Sequence, residues 1–437
     1  MAAPEISQTR LFERLTGDED SRMCKDIPDE ACQEQPRNFF LHLAASLGNK
    51  LADELASARL VLPWLLGAIG APVWMVGMLV PIREAGALLP QVFVAGFIRG
   101  RPKRKGVWVA GGILQALAAA ALALLALFGH GGLGGALVLA VLVALSLARG
   151  LSSIATKDVL GKTIAKQRRG TLMGWSGSLA GAATLVAGVV LMAFSDRPGE
   201  LALAALLAVA ALGWAVNALC AARIREVPGA SEGGDSIAST LREGLRLLRK
   251  DRTFRHFNLS RALLLSSALA LPYVALLGQR QSGAELGDLG VLVIVSGIAG
   301  MVASPVWGKR ADDSSRRVMR LAALGTAVCC AAGALLAWLP GAWTASVWPY
   351  ALLYALLVIV HAGARLGRKT YVVDLAGAED RALYVALSNT LTGVLMLIVG
   401  GLVGALAQWL GSGALLLALG VTALAAAASA TRLPEVE

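Results

Sequence analysis

The stretch RGRPKRKGVWVAGGILQALAAAALALLALFG, residues 99–129, decides the fold class. Arg99, Arg101, Lys103, Arg104 and Lys105 crowd in front of an apolar run from 107 to 129 that carries no charge. At about 1.5 Å of rise per residue, such a run crosses a hydrocarbon layer of about 30 Å as a helix. Cations massed just outside it mark the cytoplasmic side. Over all 437 residues only 16% are charged, against 56% hydrophobic, so the surface suits lipid better than water.

Outward from this stretch, apolar runs recur near 42–67, 72–98, 107–129, 134–156, 171–194 and 200–222. A second set falls near 257–278, 287–307, 318–339, 345–366, 383–408 and 411–430. The pattern predicts an all-α polytopic membrane protein with twelve transmembrane helices in two six-helix bundles. Basic clusters also follow span four (Lys162, Lys166, Arg168, Arg169) and span eight (Lys309, Arg310, Arg316, Arg317). The connections at 129–135, 196–200, 340–346 and 411–413 have almost no Lys or Arg, which predicts cytoplasmic termini and a bacterial inner membrane.

The expected organisation is an acidic cytoplasmic tail over 1–36, a first bundle over 37–225, a linker over 226–252, a second bundle over 253–432 and a short tail over 433–437. In the linker, Ile237, Leu241, Leu245 and Leu248 share a helical face while Arg242, Arg246 and Arg249 lie elsewhere, the pattern of a helix resting on anionic headgroups. An internal repeat supports two related halves. Lys157 to Gly181 laid on Lys369 to Gly393 without a gap pairs Arg169 with Arg381, Ser176 with Ser388 and Leu179 with Leu391. The same offset sets Gly96 on Gly308, and Leu62-Pro63-Trp64 in span one answers Leu271-Pro272-Tyr273 in span seven.

Gly308-Lys309-Arg310-Ala311-Asp312-Asp313-Ser314-Ser315-Arg316-Arg317 resembles the loop motif of the major facilitator superfamily, and Gly96 to Lys105 is a degenerate copy without the acid. The resemblance implies a cavity between the bundles, lined largely by spans one, four, seven and ten, and alternating access by rocking of the halves. It implies a gating role for Gly308, Asp312, Asp313 and Arg317. Span five has no proline, so the proline-glycine signature of the superfamily's drug-proton antiporters is missing.

Each charge inside a span costs about 2.5–3.5 kcal/mol on insertion scales, so grouped charges face a cavity and one another. In span one, Asn49, Lys50, Asp53 and Glu54 recur at helical spacing, with Lys50 in reach of Asp53 or Glu54. Arg83 and Glu84 fall near the middle of span two, and Arg149 enters span four, either neutralising a carboxylate or holding a substrate carboxylate or phosphate. A carboxylate in a dry cavity responds to the distance of its cation, so Asp53 or Glu54 is the expected proton-coupling group, the alternative being a fixed set of salt bridges. His361 in span ten is a candidate titrating group or a hydrogen-bonded packing residue, while Arg368 and Lys369 read as side chains reaching for the interface. Arg365 and Arg261 carry the same ambiguity.

No phosphate-binding glycine loop and no His-Glu-x-x-His helix occurs, so the chain is not expected to be an enzyme or to carry a cofactor or metal. The net charge of +11 sits in membrane-flanking loops and implies no nucleic-acid partner. The five cysteines form no spaced framework, and Cys24 and Cys32 are expected to lie in a reduced, unstructured tail. The expected activity is secondary active transport of a small polar or charged solute, proton-coupled, by a monomer. The alternatives are a lipid or lysolipid translocator and a non-transporting membrane sensor or assembly protein.

Overall fold

The computed structural model describes residue 12 and residues 27–89, 101–193, 199–228, 246–283, 286–339, 341–376 and 381–436. Gly96, Cys24 and the linker positions Ile237, Leu241, Arg242 and Leu245 lie outside the described residues. The helices are α1 (Asp29–Gln33), α2 (Gln35–Leu55), α3 (Val61–Ala68), α4 (Val73–Leu88), α5 (Lys105–Phe128), α6 (Gly131–Thr163) and α7 (Lys166–Ala193). They continue with α8 (Gly199–Arg223), α9 (Arg252–Leu263), α10 (Ser266–Ser282), α11 (Leu286–Asp313), α12 (Ser315–Trp338), α13 (Trp348–Leu375) and α14 (Arg381–Thr431).

Among the described residues, nine helical segments are long and apolar enough to cross a membrane. The last of these, α14, is two rods joined at Gly411, whose φ of 78° and ψ of 168° break the helix and turn the chain back. Span one is α2 followed by α3, and α4 is the described part of span two. The outer surface is apolar, with Phe128, Leu133, Val328 and Trp409 each more than two-thirds exposed. So much exposed apolar surface belongs against lipid, and the chain is an integral membrane protein.

Spans one and seven are both interrupted at corresponding places. Span one unwinds over residues 56–60, just before Pro63, and span seven is broken at Leu264–Leu265, ahead of Pro272. Proline removes a backbone donor and crowds the preceding turn, and such breaks persist only where protein or a wet cavity satisfies the freed groups. Here Ser57 carbonyl oxygen accepts from Leu62 N–H at 2.9 Å. The tail expectation needs correction for its described end. Residues 29–33 are helical, Ile27 and Ala31 are buried, Gln35 Oε1 accepts from Ala165 N–H at 2.7 Å, and Cys32 is disulfide-bonded. This end is folded onto the basic end of the first bundle.

The halves meet through glycine. In span two a Cβ on Gly77 would lie 2.5 Å from Gly404 Cα, and one on Gly404 2.5 Å from Trp74 carbonyl oxygen. Between spans five and eight a Cβ on Gly188 would lie 3.0 Å from Gly290 carbonyl oxygen, and the reverse distance is 2.7 Å. Helices approach this closely only when no side chain intervenes. Gly404→Ala is therefore expected to cost about 1–3 kcal/mol through overpacking. Gly177→Ala, whose nearest neighbour is Lys50 Nζ at 3.5 Å, is expected to be near neutral. Thermal unfolding of the two variants in detergent, followed by tryptophan fluorescence, checks the contrast.

Candidate functional site

The break in span one turns Arg59 inward, and its guanidinium donates to Glu84 of α4 at 2.6 Å. One turn earlier, Asp53 receives both Arg83 of α4 and Arg149 of α6 on the same oxygen. Three spans thus share one carboxylate. Arg83 is 92% buried and its Nη1 has no partner among the described residues. Glu54, the next residue, makes no hydrogen bond or ion pair among the described residues and is exposed. Its electrostatic neighbours are Asp53, Arg59, Arg365 and Arg149.

The second half completes this cluster. Arg365 and Arg368 of α13 act on Glu84 together with Arg59 and Arg149. Neither has a carboxylate partner among the described residues, and Arg368 Nε is shut from water with nothing to donate to. α13 runs to Leu375, past the expected end of span ten at 366, with Arg365 exposed and Arg368 half-buried on it. Five guanidinium groups (Arg59, Arg83, Arg149, Arg365, Arg368) face three carboxylates (Asp53, Glu54, Glu84), and Arg261 and Lys369 also act on Glu84, so cations outnumber carboxylates.

Two expectations about span one change. Lys50 does not reach Asp53 or Glu54. Its Nζ donates to Ser176 Oγ of α7 at 2.9 Å. Asn49 faces span six, its Oδ1 accepting from Trp214 Nε1 at 3.1 Å, and so orients a buried packing contact. The Lys50 bond has a counterpart in the other half: Arg261 of α9 donates to Ser388 Oγ at 2.7 Å and to Asn389 Oδ1 at 2.8 Å. Ser176 and Ser388 are the very serines that the internal repeat aligns, so each half ties its first span to its fifth by a cation on an equivalent hydroxyl. His361 Nδ1 shares a hydrogen bond with Ser267 Oγ at 3.0 Å, and its buried Nε2 has no hydrogen-bond partner among the described residues.

The cluster opens toward the basic end. Glu54, Arg365 and Lys369 are exposed. At the opposite end the glycine contacts close spans two against eleven and five against eight, and Gln279 Nε2 of span seven donates to Trp64 carbonyl oxygen of span one at 2.9 Å.

A sequence model described as Major Facilitator Superfamily matches residues 264–437. The fold over the whole chain is that of solved transporters. A mutant of the nucleoside transporter NupG superposes with a TM-score of 0.71, at 13% identity over 90% of this chain and 99% of its own. A POT family transporter in complex with a peptide conjugate gives 0.70, at 14% identity over 93% and 98%. The sequence match to the Major Facilitator Superfamily covers residues 264–437, and over the whole chain the likeness to these transporters is one of fold. The inward-open xylose transporter XylE from E. coli gives 0.66 at 12% identity, over 92% of this chain and 97% of its own. In sequence, the uncharacterized protein Rv2209 of Mycobacterium tuberculosis is 27% identical over 387 residues, covering 85% of this chain and 72% of that protein.

In the superfamily's loop motif, Gly308 sits in open space, the side chain of Asp312 is outside the described set, and Asp313 closes α11. The basic members are held by the chain's far end: Arg316 pairs with Glu435 at 2.7 Å, Arg317 lies 3.9 Å from it, and Ser314 Oγ donates to it at 2.7 Å. The degenerate first-half copy borrows its acid from elsewhere. Arg104 pairs with Asp158, and the Arg104 and Lys105 backbone N–H groups donate to the buried Glu226 at 2.9 and 2.8 Å. Sequence reasoning missed Arg59, Asp158 and Glu226. Removing Asp53 leaves two arginines facing each other, a loss worth about 3–5 kcal/mol for a fully buried set and less here because Arg149 is 37% exposed. Asp53→Asn is expected to lower the unfolding midpoint far more than Glu54→Gln, and adding Arg83→Gln to Asp53→Asn is expected to recover part of the loss in the same thermal assay.

Proposed function

We propose that the protein is a secondary active transporter, coupled to protons, whose solute carries a negatively charged group. The observation that supports this best is the pair Arg365 and Arg368, three residues apart on span ten and without carboxylate partners among the described residues. Guanidinium groups hold carboxylates and phosphates by paired, charge-assisted hydrogen bonds. A solute anion between Arg365 and Arg368 on one side and Arg59 and Arg149 on the other would neutralise the excess charge and draw the halves together.

Asp53 is committed to two arginines and serves as the fixed anchor of the first half. Glu54 is the carboxylate left to exchange a proton, because its surrounding cations belong to both halves and change distance when the halves rock. One structural neighbour is a D-xylose-proton symporter, which accords with proton coupling in this fold. Lys309, Arg310, Arg316 and Arg317 would place the open side of the cavity in the cytoplasm. His361, sharing its hydrogen bond with Ser267, would hold spans seven and ten in register beside the arginines.

Purified protein in liposomes containing a pH-sensitive dye, challenged with organic acids, phosphate esters, neutral sugars and amines, tests both parts. Proton flux is expected only with the anionic solutes. Glu54→Gln is expected to abolish that flux while leaving solute exchange intact. Arg365→Gln is expected to weaken the apparent affinity roughly 10- to 100-fold, the worth of a charge-assisted hydrogen bond of about 1.5–3 kcal/mol. Flux driven by neutral solutes alone, or full coupling in Glu54→Gln, would contradict the proposal.

A further inference from the structure

Away from the central cluster, the basic end of the second half carries a groove of about 480 Å³ between the start of α9 and the end of α14. Its rim is Arg252, Arg255, His256 and Arg432, and its floor is Leu259, Ala425, Ala428 and Ser429. A second cavity of about 450 Å³ adjoins it and shares Arg252, His256 and Arg432. Among the described residues, no acidic residue lines either one. The nearest carboxylates are engaged elsewhere: Asp251 accepts from Phe254 N–H at 2.9 Å and from Tyr384 hydroxyl at 2.8 Å, and Glu435 holds Ser314 and Arg316. Arg255 donates to Leu248 and Arg249 carbonyl oxygens, and His256 shares a hydrogen bond with Ser429 Oγ at 3.1 Å. Arg252 and Arg432 have no ion pair among the described residues and are exposed.

The groove is polar at one end and apolar at the other. Leu259 is exposed below the arginines, and Val421 and Leu424 continue an exposed apolar track up α14 into the membrane. Cations at the interface above an apolar channel complement a molecule with an anionic head and hydrocarbon tails. We propose that this groove is a binding site for an anionic phospholipid of the basic-side leaflet, its phosphate held by Arg252 and Arg432 and an acyl chain lying along Leu259 and α14. Basic pockets between spans recognise phospholipid headgroups in this way, each Lys or Arg near the surface contributing about 1 kcal/mol. The site is separate from the transport cavity. It clamps the first and last spans of the second bundle together, next to where the linker enters α9.

Native mass spectrometry of the full-length protein, titrated with cardiolipin, phosphatidylglycerol, phosphatidylcholine and inorganic phosphate, tests the assignment. The two anionic lipids are expected to bind and raise the unfolding midpoint, and phosphatidylcholine is expected to do neither. An Arg252→Gln, Arg432→Gln double variant is expected to bind the anionic lipids about 30-fold more weakly, while Arg252→Lys with Arg432→Lys keeps most of the affinity. Leu259→Asn is expected to weaken lipid binding without creating affinity for phosphate. Equal stabilisation by inorganic phosphate would make this a site for a soluble anion and overturn the lipid assignment. Undiminished anionic-lipid binding in the folded double Gln variant would overturn the site itself.

Discussion

Keeping ions inside an apolar bundle is the constraint on which the rest of the structure depends. Each buried guanidinium or carboxylate must find a partner or water, and the protein meets this need by sharing. Asp53 takes Arg83 and Arg149, so spans one, two and four are tied at a single oxygen. Glu84 takes Arg59 from the unwound segment of span one. The charge on Arg365 and Arg368, which has no carboxylate partner among the described residues of the second half, acts on Glu84 of the first. Arg365 and Glu54 of this cluster are exposed, so part of its charge meets solvent instead of a protein partner.

The same economy explains how the halves stay joined while the cavity is open. Glycine meets glycine at Gly77 with Gly404 and at Gly188 with Gly290, both toward the end opposite the basic loops. Backbone-to-backbone contact there supplies dispersion and little else, so it can part without stranding a polar group. Within each half the ties are polar instead: Lys50 to Ser176 and Arg261 to Ser388 hold the first span to the fifth. Polar bonds inside the halves, and a seam between them made of glycine contacts with one buried hydrogen bond from Gln279 to Trp64, are what a rocking motion of two rigid bundles requires.

Much of this was legible in the sequence, and the parts that were not share a cause. The spans were readable because a run of about 20 apolar residues has one meaning in a membrane protein. The repeat picked out Ser176 and Ser388 before any contact was known. Spacing along one helix misled for Lys50, because an i, i+3 relation says nothing about a serine on another span. Arg59 gave no signal because its role comes from a helix break rather than a helical face, and the prolines at Pro63 and Pro272 were the only hint. Hydropathy ended span ten at 366 because the charges of Arg365, Arg368 and Lys369 outweigh their apolar neighbours, while the helix continues to Leu375.

Distance between the basic ends of spans five and eight, measured by electron–electron resonance between spin labels at Gly170 and Lys309 in liposomes, tests the central claim most directly. A label at Gly170 has open space around its Cβ, and Lys309 is exposed. If the arginine cluster binds an anion and draws the halves together, the anionic solute that drives flux should shorten this distance, and Arg365→Gln should abolish the shortening. A distance that is unchanged by every anionic solute, or that shortens equally in Arg365→Gln, would contradict it.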